Sequence, residues 1–344
     1  MRAQRIVLAA AALAVLLLST ASTAEASSIT LPCDPTGVNL QDAMSTAPSH
    51  ATIKLAANCT YTIATPESAS NGLPVVDKML TVTGKGSSTV IDGNNGPTPF
   101  VVDGGILTLN KLKVENGNAA GNGGGILVSG AGDRLTLNNV TVDGNSAAGY
   151  GGGIYLGDGS VAVLKSTVVS NNSTPNDGGG IEIEDHTNVS IKGGQVVGND
   201  SGNTAGGIGL FGGSGTLKIA GLLDHGNTAF IAGGLRVNGQ ATVTKSVITG
   251  NTASSAGGGI LNLEDLTVTK TDLDGNTVSG TNAQGGGLWN EDGATATFTK
   301  SKITGNQAIG TGATGGGIYN HTGGAVHLKS TQLSANTPND CFGC

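Results

Sequence analysis

Residues 142–154 read VDGNSAAGYGGGI, and this stretch contains both halves of the motif that decides the fold. An aliphatic residue, Val142, is followed three positions later by Asn145, and a run of glycines then leads into a second aliphatic residue, Ile154. The glycine–aliphatic half recurs eight times, with its aliphatic residue at Ile126, Ile154, Ile181, Ile208, Leu235, Ile260, Leu288 and Ile318. The intervals are 25 to 30 residues long, and such a sustained period indicates a stacked repeat.

Each period also contains two short runs of β-branched residues, such as residues 161–164 and 167–169, bounded by Gly, Asn, Asp and Ser. Runs of this kind are typical of strands. Three short strands without helices between them close one coil of a solenoid, in which each strand pairs with its copies about 4.8 Å above and below. The sequence therefore predicts an all-β, right-handed parallel β-helix of about eight coils, with the motif aliphatics pointing inward.

The composition agrees with a repeat protein. The chain has 59 glycines, only 3% aromatic and 12% charged residues, and a globular α/β enzyme would normally carry more of the last two classes. Disorder is also disfavoured, because Val, Ile and Leu are plentiful and regularly spaced.

Asparagine recurs before each loop, at Asn145, Asn171, Asn199, Asn227, Asn251, Asn276, Asn306 and Asn336. Asparagine tolerates left-handed turns, and its amide can bond to the backbone at a corner or to stacked copies of itself. We therefore interpret these residues as structural and not as ligands.

Residues 1–26 have the features of a signal peptide. Arg2 and Arg5 precede an apolar run at residues 6–18, and Ala24-Glu25-Ala26 offers a cleavage site after Ala26. A membrane anchor is the alternative, but the run is short for a span. Removal leaves 15 basic and 23 acidic residues, a net charge of −8. We expect a secreted or cell-surface protein that does not bind nucleic acid.

The four cysteines lie at the two ends of the chain. In an exported protein an even count predicts disulfides, and local pairing gives Cys33–Cys59 and Cys341–Cys344. A zinc site is the alternative, but the two pairs are far apart in the sequence. Leu40, Ala43 and Met44 lie on one face of a helix. We therefore expect a disulfide-linked helical cap at 27–71, the β-helix at 72–337 and a disulfide loop at 338–344.

The alternation of G-G-[GA]-[IL] with [IVL]-x-x-N resembles the repeat of polymorphic outer-membrane proteins and related exported bacterial β-helices of pectate-lyase-like shape. The resemblance covers about residues 72–340 and weakens at Asn227, where Asp224 replaces the expected aliphatic residue. It implies the fold and export. It implies no catalytic residues, because the motif belongs to the scaffold.

An enzyme is the alternative to a scaffold. Glu264 and Asp265 on one coil, with Glu291 and Asp292 on the next, could bring carboxylates together around Ca²⁺, as polysaccharide lyase chemistry requires. Trp289 lies beside them and could stack on a sugar. A third acidic set, at residues 182–185, is separated from these by two coils with no acid at that place.

A lysine occurs once per coil in seven successive coils, at Lys165, Lys192, Lys218, Lys245, Lys270, Lys300 and Lys329. The row is either a solvated corner or a basic track for an anionic glycan or cell-wall polymer, with Lys245, Lys270 and Lys300 at its centre. The leading hypothesis is a secreted non-catalytic scaffold, adhesive or glycan-binding, without a cofactor. The alternative is a Ca²⁺-assisted polysaccharide lyase or a related glycan-active enzyme.

Overall fold

The computed structural model describes residues 27–344, so the predicted signal peptide lies outside the described residues. The chain forms a parallel β-solenoid of about 12 turns. This confirms the parallel β-helix, but the estimate of eight coils was too low. Four strands that stack on one side of the solenoid, at residues 28–30, 51–54, 79–83 and 106–110, precede Ile126. These early turns stack without the glycine motif.

Each turn passes through four columns of strands, which we number in the order in which the chain crosses them after the glycine motif. Column 1 is a ten-stranded sheet made of Phe100–Val102, Ile126–Val128, Ile154–Leu156, Ile181–Ile183, Ile208–Leu210, Leu235–Val237, Ile260–Asn262, Leu288–Asn290, Ile318–Asn320 and Cys341–Phe342. Columns 2 to 4 are joined into one 28-stranded sheet that bends around the corners.

Column 2 contains Ser28–Thr30, Ala51–Lys54, Met79–Thr83, Ile106–Asn110, Arg134–Asn138, Thr216–Ala220, Gln240–Thr244, Asp265–Thr269, Thr295–Thr299 and Ala325–Lys329. Column 3 contains Cys59–Thr62, Thr141–Asp143, Leu223–His225, Val247–Thr249, Asp272–Asp274, Lys302–Thr304 and Gln332–Ser334. Column 4 contains Ser146–Ala147, Ser173–Thr174, Asp200–Ser201, Thr228–Ile231, Thr252–Ala256, Thr277–Ser279 and Gln307–Ile309. Four longer strands cross a corner: Val161–Ser170 and Asn188–Val197 run from column 2 to column 3, and Thr89–Gly96 and Lys113–Ala119 run from column 3 towards column 4.

The motif aliphatics form one continuous row inside column 1. Ile154, for example, pairs with Ile126 on one side and with Ile181 on the other. All eight are fully buried. Since side chains alternate between the two faces of a strand, the residue that follows each aliphatic points outward. The inward assignment of the motif aliphatics is therefore confirmed.

The glycines of the motif are required by the close approach of successive turns. Gly151 has a φ of 66°, in the left-handed region where a side chain is disfavoured. A Cβ on Gly152 would lie 2.5 Å from the carbonyl oxygens of Ser173 and Gly179 on the next turn, which is closer than van der Waals contact allows. Ala205 and Ala232 replace only the first glycine and keep its left-handed φ, at 64° and 59°.

The recurring asparagines form a buried ladder along the corner between columns 3 and 4. At each step the backbone N–H and the Nδ2 of one asparagine donate to the Oδ1 of the next, at 2.9 and 3.0 Å between Asn145 and Asn172. The ladder contains Asn145, Asn172, Asn199, Asn227, Asn251, Asn276, Asn306 and Asn336. At its ends the N–H of Gly117 donates to Asn145, and Asn336 donates to Asp340. The structural role is as predicted, but Asn171 was the wrong member, because it is the exposed residue before Asn172.

The N-terminal end of the solenoid is covered by the helix Val38–Thr46, whose Leu40, Ala43 and Met44 are buried. Cys33 is bonded to Cys59, and Cys341 to Cys344, as predicted. Strands at 28–30 and 51–54 already pair with later turns, so the division into a cap (27–71) and a β-helix (72–337) stays a prediction. None of the helices in the described chain is long and apolar enough to cross a bilayer.

A carboxyl group interrupts the aliphatic interior of column 3. Asp224 pairs with Val196 and Ile248 on the neighbouring turns and points inward, only 1% exposed. Its Oδ1 accepts a hydrogen bond from Nδ2 of Asn227 at 2.7 Å. Burial raises the pKa of Asp224 to about 7, against the lowering effect of that hydrogen bond.

This pKa predicts a pH-dependent stability. The folded pKa of Asp224 lies above its unfolded value, so the associated stability is present below pH 4 and is lost as the pH rises towards 7. The rise in this pKa corresponds to a change of at most about 4 kcal/mol in the free energy of unfolding. Asp224→Val should therefore stabilise the protein at pH 8 and reduce its loss of stability between pH 5 and 8, measured by urea unfolding. The control is Asp274→Val, at an exposed position of column 3, which should lose as much stability between pH 5 and 8 as the wild type. Equal pH profiles for all three proteins would contradict the burial argument.

The asparagine ladder gives a second prediction. Asn251→Ala removes the Oδ1 that accepts from the N–H and Nδ2 of Asn227, and an orphaned buried donor costs about 1–3 kcal/mol. We expect a loss of that order in the free energy of unfolding. Asn118→Ala, at an exposed position, should cost less than about 0.5 kcal/mol. Similar losses for the two variants would show that the ladder contributes no more than a surface contact.

Candidate functional site

Three of the predicted lysines occupy one position on consecutive turns. Lys245, Lys270 and Lys300 each follow directly after Thr244, Thr269 and Thr299, which pair with one another in column 2. Their N–H groups donate to the turn that follows, for example from Lys245 to the carbonyl of Thr269 at 3.0 Å. We call these three residues the lysine corner, because they lie where column 2 turns into column 3.

The predicted row of seven lysines is wrong for the other four. Lys165 and Lys192 are the last residues of the column 2 part of their strands, one position before the corner, and Lys329 is in register with Thr299 at that same place. Lys218 lies further back, in register with Thr242. The three lysines of the corner lie six residues before the buried asparagine of their turn. The other four lie seven residues before it, or nine in the case of Lys218, and so stop short of the corner.

The lysine corner has an unusual backbone. Lys245, Lys270 and Lys300 have φ values of 51°, 53° and 53°. The same corner is occupied in other turns by Asn139, with φ 53°, and by Gly193, with φ 65°. A left-handed backbone costs a residue with a full side chain about 1–2 kcal/mol, whereas glycine and asparagine adopt it more easily. All three side chains are exposed, and in the described part of the chain none forms a salt bridge.

A shallow groove runs along the outward face of column 2 beside the lysine corner. One depression in it, of about 270 Å³, is lined by Gln240, Ala241, Thr242, Asp265, Leu266, Thr267, Thr295 and Thr297. The groove continues over neighbouring turns, because Thr242 also lines an adjoining depression that contains Lys192 and Lys218, and Ser190 and Lys218 are shared with a third. Thr244, which directly precedes Lys245, lines the middle depression, so the lysine corner adjoins an elongated groove that has both polar and apolar lining.

The four predicted acidic residues are not brought together into a metal site. Asp265 begins a column 2 strand and pairs with Thr295 on the next turn, not with Glu291 or Asp292. Glu264 precedes that strand at the corner between columns 1 and 2. Among residues 27–344 no three His, Cys, Asp or Glu side chains lie close enough to share a metal ion.

Trp289 lies on a different face from the lysine corner. It occupies the outward position of column 1, in register with Leu261 and Tyr319. The ring of Tyr319 stacks on Phe342 of the following turn, with 5.2 Å between centroids and 2° between planes. Because the rings of Tyr319 and Phe342 cover each other's faces, those faces are not free to stack on a sugar. The C-terminal part of this row therefore resembles a structural stack more than an open sugar platform.

Another cluster on column 1 was not predicted. Tyr155, Glu182, Gly209 and Arg236 occupy the same outward position on four consecutive turns. Glu182 is only 2% exposed, and its Oε2 has no hydrogen-bond partner. Burial raises the pKa of Glu182 well above its usual range, and the nearby carboxylates of Glu184 and Asp177 raise it further.

The cationic member of this cluster does not pair with the buried carboxyl group. The guanidinium of Arg236 lies 3.9 Å from the ring centroid of Phe211 and donates to the carbonyl of Leu210 at 3.0 Å. Gly209 makes this possible, because a Cβ there would lie 2.2 Å from the Phe211 ring. The hydroxyl of Tyr155 donates to Glu184 at 3.1 Å, and burial raises the pKa of both residues.

A signal for this cluster was available in the sequence. Tyr155, Glu182 and Arg236 each follow directly after a motif aliphatic, and that position must point outward on column 1. From the sequence, Glu182 was only a member of the acidic set at residues 182–185 and was not connected with Arg236. The packing of Phe211 over Gly209 was not predictable, because it depends on how one side chain leaves the following corner.

The family described as "Right handed beta helix region" matches residues 82–222 and 124–337, which together cover most of the sequence. The chain belongs to this right-handed β-helix family. No curated protein matches its sequence.

Two solved structures are similar to this β-helix. Pectate lyase Pel9A is 15% identical, with a TM-score of 0.49, and the match covers 85% of this chain and 78% of that one. The Dettilon tailspike protein is 13% identical, with a TM-score of 0.27, and the match covers 87% of this chain and 68% of that one. Both likenesses are too distant to bear on the function of this β-helix, since sites differ freely on a shared fold.

The spacing of the acidic residues leads to a prediction about Ca²⁺. Because Glu264, Asp265, Glu291 and Asp292 do not converge, this β-helix should not gain stability from the ion. We expect about 5 mM Ca²⁺, enough to saturate typical extracellular sites, to change the melting temperature by less than about 1 °C relative to EDTA. A rise of several degrees that Asp265→Asn and Asp292→Asn abolish would establish a site that the geometry does not suggest.

Proposed function

We propose that this protein is an exported, non-catalytic β-helix that binds a long anionic glycan or cell-wall polymer in the column 2 groove, with the lysine corner as the main charged contact. The observation that carries the proposal is the lysine corner itself. Three exposed lysines, which form no salt bridge within residues 27–344, adopt a backbone that glycine or asparagine would adopt more easily. A structural corner does not need a cation at this place, as Asn139 and Gly193 demonstrate.

The electrostatics support a polymeric partner. Neighbouring turns are about 4.8 Å apart, and ammonium groups held at that spacing would repel by about 1 kcal/mol in water before screening. A polymer with regularly spaced anions would relieve this repulsion at every turn. Many weak contacts along one chain give high avidity without any single strong contact. The protein as a whole carries a net negative charge, so an anionic polymer would be attracted locally, where the lysine corner together with Lys192 and Lys218 outnumbers the groove carboxylate of Asp265.

Export is part of the same proposal. It is supported by the signal-peptide features of residues 1–26 and by the two disulfides, which persist in oxidising compartments. We propose further that binding requires no cofactor. The alternative, a Ca²⁺-assisted lyase, has no comparable supporting observation, because its four carboxylates are dispersed.

The test is to replace the lysine corner by asparagine, in the variant K245N/K270N/K300N. Asparagine suits the left-handed backbone, so the melting temperature should stay the same or rise. Affinity for long polymannuronate and for long inorganic polyphosphate should fall about tenfold or more, and the dependence of affinity on salt should become less steep. Binding is measured by biolayer interferometry over a series of salt concentrations.

The matched control is Lys111→Asn. Lys111 has the same left-handed backbone, with φ 51°, but lies far from the lysine corner in the stack. This variant should bind both polymers like the wild type. The proposal fails if the triple variant retains wild-type affinity and salt dependence, or if the wild-type protein binds neither polymer.

A further inference from the structure

We infer that the column 2 groove recognises sugar hydroxyl groups through a threonine array, and that its polymer is an acidic polysaccharide lying parallel to the solenoid axis with its repeating units in step with the turns. The array consists of Thr242, Thr244, Thr267, Thr269, Thr297 and Thr299. This inference rests on the proposed function, because it assigns the chemistry of the polymer that occupies the same groove.

The register of column 2 makes the array regular. Thr242, Thr267 and Thr297 pair in one row along the axis, and the other three threonines pair in a second row. Rows repeat about every 4.8 Å from turn to turn, and residues two apart on a strand are about 6.7 Å apart. All six side chains point outward, with Thr242 and Thr267 exposed and the others half-buried.

The hydroxyl groups of the array are almost all available. Within the described chain, only Thr244 among the six donates a hydrogen bond to the protein, to the carbonyl of Ile219 at 3.3 Å. A hydroxyl group both donates and accepts, so a threonine can pair with a sugar hydroxyl in either sense. Its methyl group can also contact the apolar face of a sugar ring.

The threonine array lies on the same three turns as the lysine corner. Threonine is common on strands for reasons of propensity alone, and single threonines occur elsewhere in column 2. Both positions are threonine in three consecutive turns, and the same three turns carry Lys245, Lys270 and Lys300. Outside them, both positions are threonine only at Thr81 and Thr83, where the corner residue is Gly84. A charge and two hydroxyl groups therefore recur together at each of three turns.

This combination distinguishes a polysaccharide from other polyanions. A polyphosphate offers charges to the lysine corner but no hydroxyl groups to the array. An acidic polysaccharide offers both, and a sugar unit is about as long as one turn is high. Each unit would therefore meet an equivalent lysine and threonine pair as the polymer runs along the groove.

The inference is tested with the variant T242V/T267V/T297V. Valine keeps the shape and strand propensity of threonine but removes the hydroxyl group, so folding should be retained, as checked by circular dichroism and melting temperature. Affinity for polymannuronate should fall about tenfold or more, from the loss of up to three hydrogen bonds. Affinity for polyphosphate should stay within about twofold, and the salt dependence should be unchanged for both polymers.

Thr81→Val is the control for a threonine strand without a lysine corner, and it should alter neither affinity. If the triple variant binds polymannuronate like the wild type, or loses both polymers equally, recognition of hydroxyl groups is refuted while the anionic-polymer function stands. If the wild-type protein binds polyphosphate but not polymannuronate, the assignment to a polysaccharide is refuted. If the wild-type protein binds neither, the proposed function and this inference fall together.

Discussion

The hydrogen bonds between parallel strands hold successive turns about 4.8 Å apart, and every other feature of the protein has to fit within that spacing. Glycine is needed where the backbone of one turn meets the carbonyls of the next, as at Gly152. Asparagine fits because its amide spans one step and presents the same acceptor to the turn before it, as in the bond from Asn145 to Asn172. The aliphatic rows of column 1 fill the interior that remains.

The same spacing separates two kinds of buried polar group. The ladder asparagines satisfy one another, and Asp340 completes the series at one end. Asp224 and Glu182 lie outside such a series, and their carboxyl groups have raised pKa values because burial is not matched by charged partners. Buried polar groups are thus insensitive to pH where they are ladder amides and sensitive to it at the isolated acids Asp224 and Glu182. On the outer surface the repeat has a different effect. It places similar residues at the same outward position in successive turns, so that they form a row.

The fold was predictable from the sequence because its signal is repeated. Eight copies of one motif average out local exceptions such as Ala205, and the disulfides and the helix at 38–46 followed from simple spacing. The errors arose where a single residue decides the register. Asn171 was chosen over Asn172 because each follows a valine by three residues. Lys165 was then grouped with Lys245, although it lies seven residues before its ladder asparagine and Lys245 lies six before. The contact of Arg236 with Phe211 depends on side-chain packing between turns, which periodicity does not encode.

The asparagine ladder also makes a turn of this protein interchangeable with its neighbours. Each internal asparagine accepts from the turn before it and donates to the turn after it, so a duplicated segment of 25 to 30 residues brings its own donor and its own acceptor. Only Gly117 and Asp340, which end the ladder, cannot be copied in this way. Tandem duplication within the gene could therefore lengthen the groove by whole turns without disturbing either end, and natural relatives of different length would be expected to differ by multiples of one turn.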